Sequence, residues 1–198
     1  MNTFTSYLRQ FGTAFRLLLA ATLVLGLGYP AVVWGVGQLA FPSQANGSIV
    51  LVDGQPAASS LIVQSPADGL GPEWFRPRPS AVNWDPTSSS PSNLGPNDPK
   101  LAESIAQLRA QVAKDEGVVE DQVPLDAVTA SGSGLDPQIS SGYAKLQIPR
   151  IAAATGLPES ALADLVAKNT TSALESLLGQ EAVNVTRLNL DLAAAVRK

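Results

Sequence analysis

From Leu17 to Phe41 the chain runs for 25 residues without a formal charge. Wound as a helix at about 1.5 Å per residue, that run measures about 37 Å and more than spans a hydrocarbon core of about 30 Å. The sequence therefore predicts one membrane-spanning helix over 17–41, with residues 1–16 before it and a single domain over 43–198 after it. A cleavable signal peptide is the competing reading, but the run outlasts the usual apolar stretch of about 7–15 residues and no clean A-x-A site follows. Gly26, Gly28, Pro30, Gly35 and Gly37 would weaken a helix in water, yet membrane helices tolerate glycine and proline, and small residues let a neighbour approach closely. Pro30 is expected to kink the span. Gly28, Pro30, Ala31, Trp34 and Gly35, with Ala31 and Gly35 as a small-xxx-small pair, form the face expected to dock on partner helices.

Direction follows from charge. Arg9 and Arg16 are the only charged residues before Asp53, so the positive-inside bias places residues 1–16 in the cytoplasm and 43–198 outside it. The net charge is −4, and from Ser43 onward there are 11 basic against 17 acidic residues. That part lacks the clustered Lys and Arg that replace phosphate counterions, which sets nucleic acid aside as a partner. With no cysteine and no histidine, thiol nucleophiles, disulfides, histidine bases, Ser-His-Asp triads and nearly all zinc patterns are excluded.

Within 43–198, Ile49–Val52, the turn Asp53-Gly54 and Ser60–Val63 read as a hairpin. Residues 65–99 are dense in Pro, Gly, Ser and Asn and predict a long irregular loop pinned by Trp74, Phe75 and Trp84. Asp98-Pro99 starts a helix whose apolar stripe is Leu101, Ile105, Leu108 and Val112, and Gly117 ends it. Val123–Ala130 reads as a strand leading into the turn Ser131-Gly132-Ser133-Gly134. A helix near Ser140–Thr155 follows, which Pro149 must interrupt, and then another over Pro158–Ala167. Val183–Leu192 alternates apolar and polar residues with a phase slip, which predicts a strand with a bulge. Helices and strands without a βαβ rhythm give an α+β fold class.

Candidate chemistry is sparse. Ser131, Gly132, Ser133 and Gly134 are the most phosphate-like stretch, since glycines expose backbone N–H groups, but the Gly-Lys-Ser/Thr ending of a P-loop is missing and a plain tight turn is the simpler reading. Gly132 and Gly134 are expected at positive φ or against a neighbouring backbone. A Ser–Lys hydrolase using Lys145 lacks the S-x-x-K spacing. A carbohydrate face of Trp74, Phe75 and Trp84 with Asp68, Glu73 and Asp85 is the less common use of such aromatics. Asn46-Gly-Ser48 and Asn184-Val-Thr186 match glycosylation sequons, a pattern too short to carry weight by itself.

Directly after the span, Gly37-Gln-Leu-Ala-Phe-Pro-Ser-Gln-Ala-Asn-Gly-Ser48 resembles the membrane-exit signature of the C subunit family of the bacterial Kdp potassium-transporting P-type ATPase. Gln44, Asn46, Gly47 and Ser48 belong to it. Further stretches fit the family in order: Arg78-Pro79-Ser80-Ala81, Ser92-Asn93-Leu94-Gly-Pro96, Val128 to Pro137 with Leu135 and Asp136, Gln147-Ile-Pro-Arg150, and the ending that holds Asn184 and Asn189. Pro77 and Ser90-Pro91 depart from the family's glycine-containing pattern and stiffen a loop that is normally flexible.

The resemblance implies an accessory subunit with no catalysis and no tightly bound cofactor of its own, in the cell membrane of a bacterium. Its implied partners are a channel-like potassium-binding subunit, a P-type ATPase subunit that hydrolyses ATP and a very small membrane subunit, so ATP and K+ are handled by the complex. The resemblance also implies a role in assembly and as a catalytic chaperone that raises ATP affinity. Since ATP is cytoplasmic and the charge pattern puts 43–198 on the other side, that effect is expected to be indirect. A free-standing membrane-tethered binding protein or Ser–Lys hydrolase is the alternative.

Overall fold

The structure, a computed structural model, describes residues 3–63, 70–172, 177 and 179–197. Two compact units divide at Ser48/Ile49. In the first, α1 (Thr3–Leu23), a π-helical turn (Val24–Gly28) and α2 (Tyr29–Ala40) follow one another as a continuous 38-residue helical stretch, the one candidate membrane span among the described residues. The π turn answers the expected kink. Pro30 has no N–H and its ring crowds the carbonyl four residues back, and the ladder widens just before it, with Tyr29 N donating to Val24 O five residues back. The short α3 (Pro42–Ala45) closes this unit.

The second unit opens with the hairpin β1 (Ile49–Val52) and β2 (Gln55–Ser59). Its second strand ends at Ser59, so the expected strand Ser60–Val63 is not formed and those residues turn away from the hairpin. Asp53 and Gly54 both hold positive φ, 52° and 77°, so they close a two-residue turn and Val52 pairs at once with Gln55. After the irregular segment come α4 (Pro99–Glu116), capped by the Asp98 carboxylate on Lys100 N and by left-handed Gly117, then α5 (Ser141–Leu146), α6 (Ile148–Thr155) and α7 (Glu159–Lys168). Pro149 sits in the first turn of α6, so it separates α5 from α6 at no hydrogen-bond cost. A two-residue ladder pairs β3 (Gln138–Ile139) with β4 (Val183–Asn184), and α8 (Val185–Val196) ends the described chain. The α+β class holds.

Two further expected strands do not form as read. Val123–Ala130 holds a 3-10 turn, Leu125–Ala127, just after another over Glu120–Gln122, because Pro124 cannot donate to a ladder and Asp126 turns its carboxylate onto Ser140 N and Oγ (2.7 and 2.9 Å). Only Val183 and Asn184 of the expected 183–192 strand are extended. The slip in alternation there is a helix signal: Val185, Leu188 and Leu192 recur at helical spacing and are all buried, and the Asn184 side chain caps by accepting Arg187 N at 3.0 Å. These three pack with Phe75, Ile139, Ile151, Leu162 and Val183 in the core.

Candidate functional site

The residues that carry the family resemblance are mostly backbone clamps. Asn189 on α8 accepts Phe75 N (2.9 Å) and donates to Phe75 O (2.8 Å), a two-point grip on the backbone of one residue. Gln147 grips the next residue the same way, accepting Arg76 N (2.7 Å) and donating to Arg76 O (3.2 Å), and it is fully buried. Arg150 donates to Pro72 O and Trp74 O, to Gln147 Oε1 (2.8 Å), and from Nε to both oxygens of Glu116 (3.0 Å each). Asn184 donates to Ser60 O (2.8 Å), while Thr186 donates to Ile62 O (2.9 Å). A chain segment without regular structure has backbone groups to satisfy, and side chains from α6, α8 and the residues just before each of them satisfy those groups. The fully buried ring of Phe75 is the apolar half of the same arrangement.

The glycine turn is built in against this segment. Arg78 donates to Thr129 O and Ala130 O and pairs with Asp136 at 3.5 Å. Ser131 N donates to Pro79 O, Ser80 Oγ to Gly134 O, and Ser90 N to Ser133 O. Gly134 holds φ 72°, and a Cβ there would stand 2.6 Å from Val82 Cγ2 and 3.1 Å from Ser90 O. Gly132 departs from expectation: it has no left-handed φ and open space around its Cα, because Gly134 alone makes the reversal. The N–H groups of Ser131, Gly134 and Leu135 are already donated within the protein, and the nearest following helix starts only at Ser141. Buried Leu135 also returns a carbonyl to Val63 N (2.8 Å). Among the described residues no hydrogen bond joins exposed Lys145 Nζ to a serine, and Asp68 of the carbohydrate reading lies outside them.

At the exit of the helical stretch, Asn46 and Gln38 exchange amide hydrogen bonds (3.0 and 3.3 Å), and Asn46 also donates to Pro42 O at 2.7 Å. Gln44 O accepts Gly47 N, after which Gly47 and Ser48 take positive φ in succession, 84° and 50°. Ser92, Asn93 and Leu94 form another turn, Ser92 Oγ accepting Leu94 N and Asn93 at φ 56°. On α2 the positions Pro30, Ala31 and Trp34 are exposed, Gly28 ends the π turn, and a Cβ at Gly35 would meet nothing within 4 Å.

Glu116, Tyr143 and Asp126 were not singled out from sequence, and Thr186 appeared there only as the end of a sequon. Glu116 had a signal: an acidic residue in the last turn of a helix opposes the macrodipole and calls for a cationic partner, here Arg150.

Fold and site together define a class of protein in which one membrane-length helix precedes a small α+β domain whose polar residues secure its own backbone. A family model described as "K+-transporting ATPase, c chain" matches residues 11–194, and the chain belongs to this KdpC family. Relatives named potassium-transporting ATPase KdpC subunit include one from Kineococcus radiotolerans, 48% identical over 96% of this chain and 96% of the relative. Another, from Caldanaerobacter subterraneus subsp. tengcongensis, is 44% identical over 92% and 94%, and one from Beijerinckia indica is 42% identical over 94% of each.

Proposed function

We propose that this chain is a non-catalytic accessory subunit of an ATP-driven potassium uptake complex, with residues 1–16 in the cytoplasm and 43–198 outside. The observation that carries it is the family match over residues 11–194, which takes in both the helix and the domain. In this reading the exposed small-residue face of α2 packs on the channel-like potassium-binding subunit, in an assembly with the P-type ATPase subunit and the small membrane subunit. The absence of any histidine or cysteine supports a chain that leaves the chemistry to a partner. Any rise in ATP affinity passes through the membrane helices, because Arg9 and Arg16 put the domain on the side away from ATP. Tagging the chain and purifying it from membranes tests the reading: a P-type ATPase should come with it, and a chain that purifies alone would point to a free-standing tethered protein.

A further inference from the structure

A cavity of about 380 Å³ opens between the irregular segment and α4, a size at which ligand sites begin. Its walls include Pro77, Pro79, Trp84, Leu108 and Val112. Tyr143 from α5 also lines it, only 2% exposed, and its hydroxyl makes no hydrogen bond among the described residues. Among the described residues no fully enclosed polar side-chain atom lacks a partner, so this hydroxyl keeps some contact with solvent. A tyrosine this buried usually hydrogen-bonds within the protein, and here the hydroxyl is left to solvent. Burial first, and the Glu116 carboxylate second, push this phenol above its ordinary value, so it remains a donor at every physiological pH. Beside it, Arg76 pairs with Asp115 through Nη1 alone, leaving further N–H groups on the same wall.

We propose that this cavity receives a peptide segment of a partner subunit, an apolar side chain entering between Trp84 and Leu108 while the adjacent backbone carbonyl accepts from the Tyr143 hydroxyl. Charge selects the acceptor. Arg76 with Asp115 and Arg150 with Glu116 already balance, so a carboxylate arriving here would be an uncompensated buried charge, whereas a neutral carbonyl is not. A peptide offers that neutral acceptor next to an apolar side chain, and membership of an ATPase subunit family means that partner chains exist. The inference rests on the proposed accessory role.

The test uses the full-length chain in the purified membrane assembly. Tyr143→Phe removes one oxygen that has no partner in the chain alone, so the isolated variant should unfold at the wild-type temperature, while its affinity for the assembly should fall by about three- to tenfold. A benzophenone side chain at Gln111, on the cavity wall, should cross-link to an apolar segment of another subunit. Unchanged affinity together with cross-links confined to this chain or to lipid, in an assembly that still contains the ATPase, would overturn the cavity proposal and leave the accessory role standing. A small molecule retained by the wild-type assembly and lost from Tyr143→Phe would overturn the peptide as occupant. If wild-type chain brings down no ATPase, the accessory role fails and the cavity proposal with it.

Discussion

At Gly134 a single hydrogen atom decides whether the turn fits. Its φ of 72° already disfavours any Cβ by about 1–2 kcal/mol, and the 2.6 Å approach to Val82 adds to that. Gly134→Val is expected to lose folding or assembly, whereas Gly132→Ala should be nearly neutral; thermal melts of both variants check the contrast. The clamps give a second residue-scale prediction. Asn189→Ala leaves the Phe75 N–H and C=O without partners, at about 1–3 kcal/mol for an unsatisfied buried group, and Arg150→Ala strands Glu116, whose side chain is 1% exposed, at about 3–5 kcal/mol. Denaturant unfolding should rank Arg150→Ala below Asn189→Ala. Sequence pointed to Gly134, Asn189 and Arg150 through family stretches, but not to what they do, because a side chain that grips a backbone group 71 or 114 positions away leaves no local pattern.

Elements were legible where their signals are local. Asp98-Pro99 and Gly117 bound α4 on both sides, since each acts on backbone groups within one turn of itself. Pro149 likewise marked the join of α5 and α6. β3 and β4 are two residues each and pair across Gln138↔Asn184, so no periodicity exists to read. The stretch after Val183 carried two periods at once, and burial of Val185, Leu188 and Leu192 decided for the helix. For α2 the prediction concerns packing: Gly35 has open space at its Cβ position, so Gly35→Leu should preserve the helix and weaken subunit association. Co-purification of the variant with its partners measures it, and a complex of normal stability would remove this face from docking.

For the molecule as a whole, the anchor and the α+β class were readable from 25 uncharged residues and an absent βαβ rhythm, while the cavity beside Tyr143 was not, since segments far apart in sequence line it. Orientation is checked by adding protease to intact spheroplasts: the region beyond about Ser43 should be degraded, and its full protection would reverse the topology. That topology underlies the central claim, an accessory subunit that alters ATP use only through its partners. Calorimetric titration of ATP into the purified full-length chain, without the other subunits, tests this most directly. No specific heat of binding is predicted, because the turn's N–H groups at Ser131, Gly134 and Leu135 are already engaged and no P-loop lysine follows them. Saturable binding in the micromolar range would contradict it.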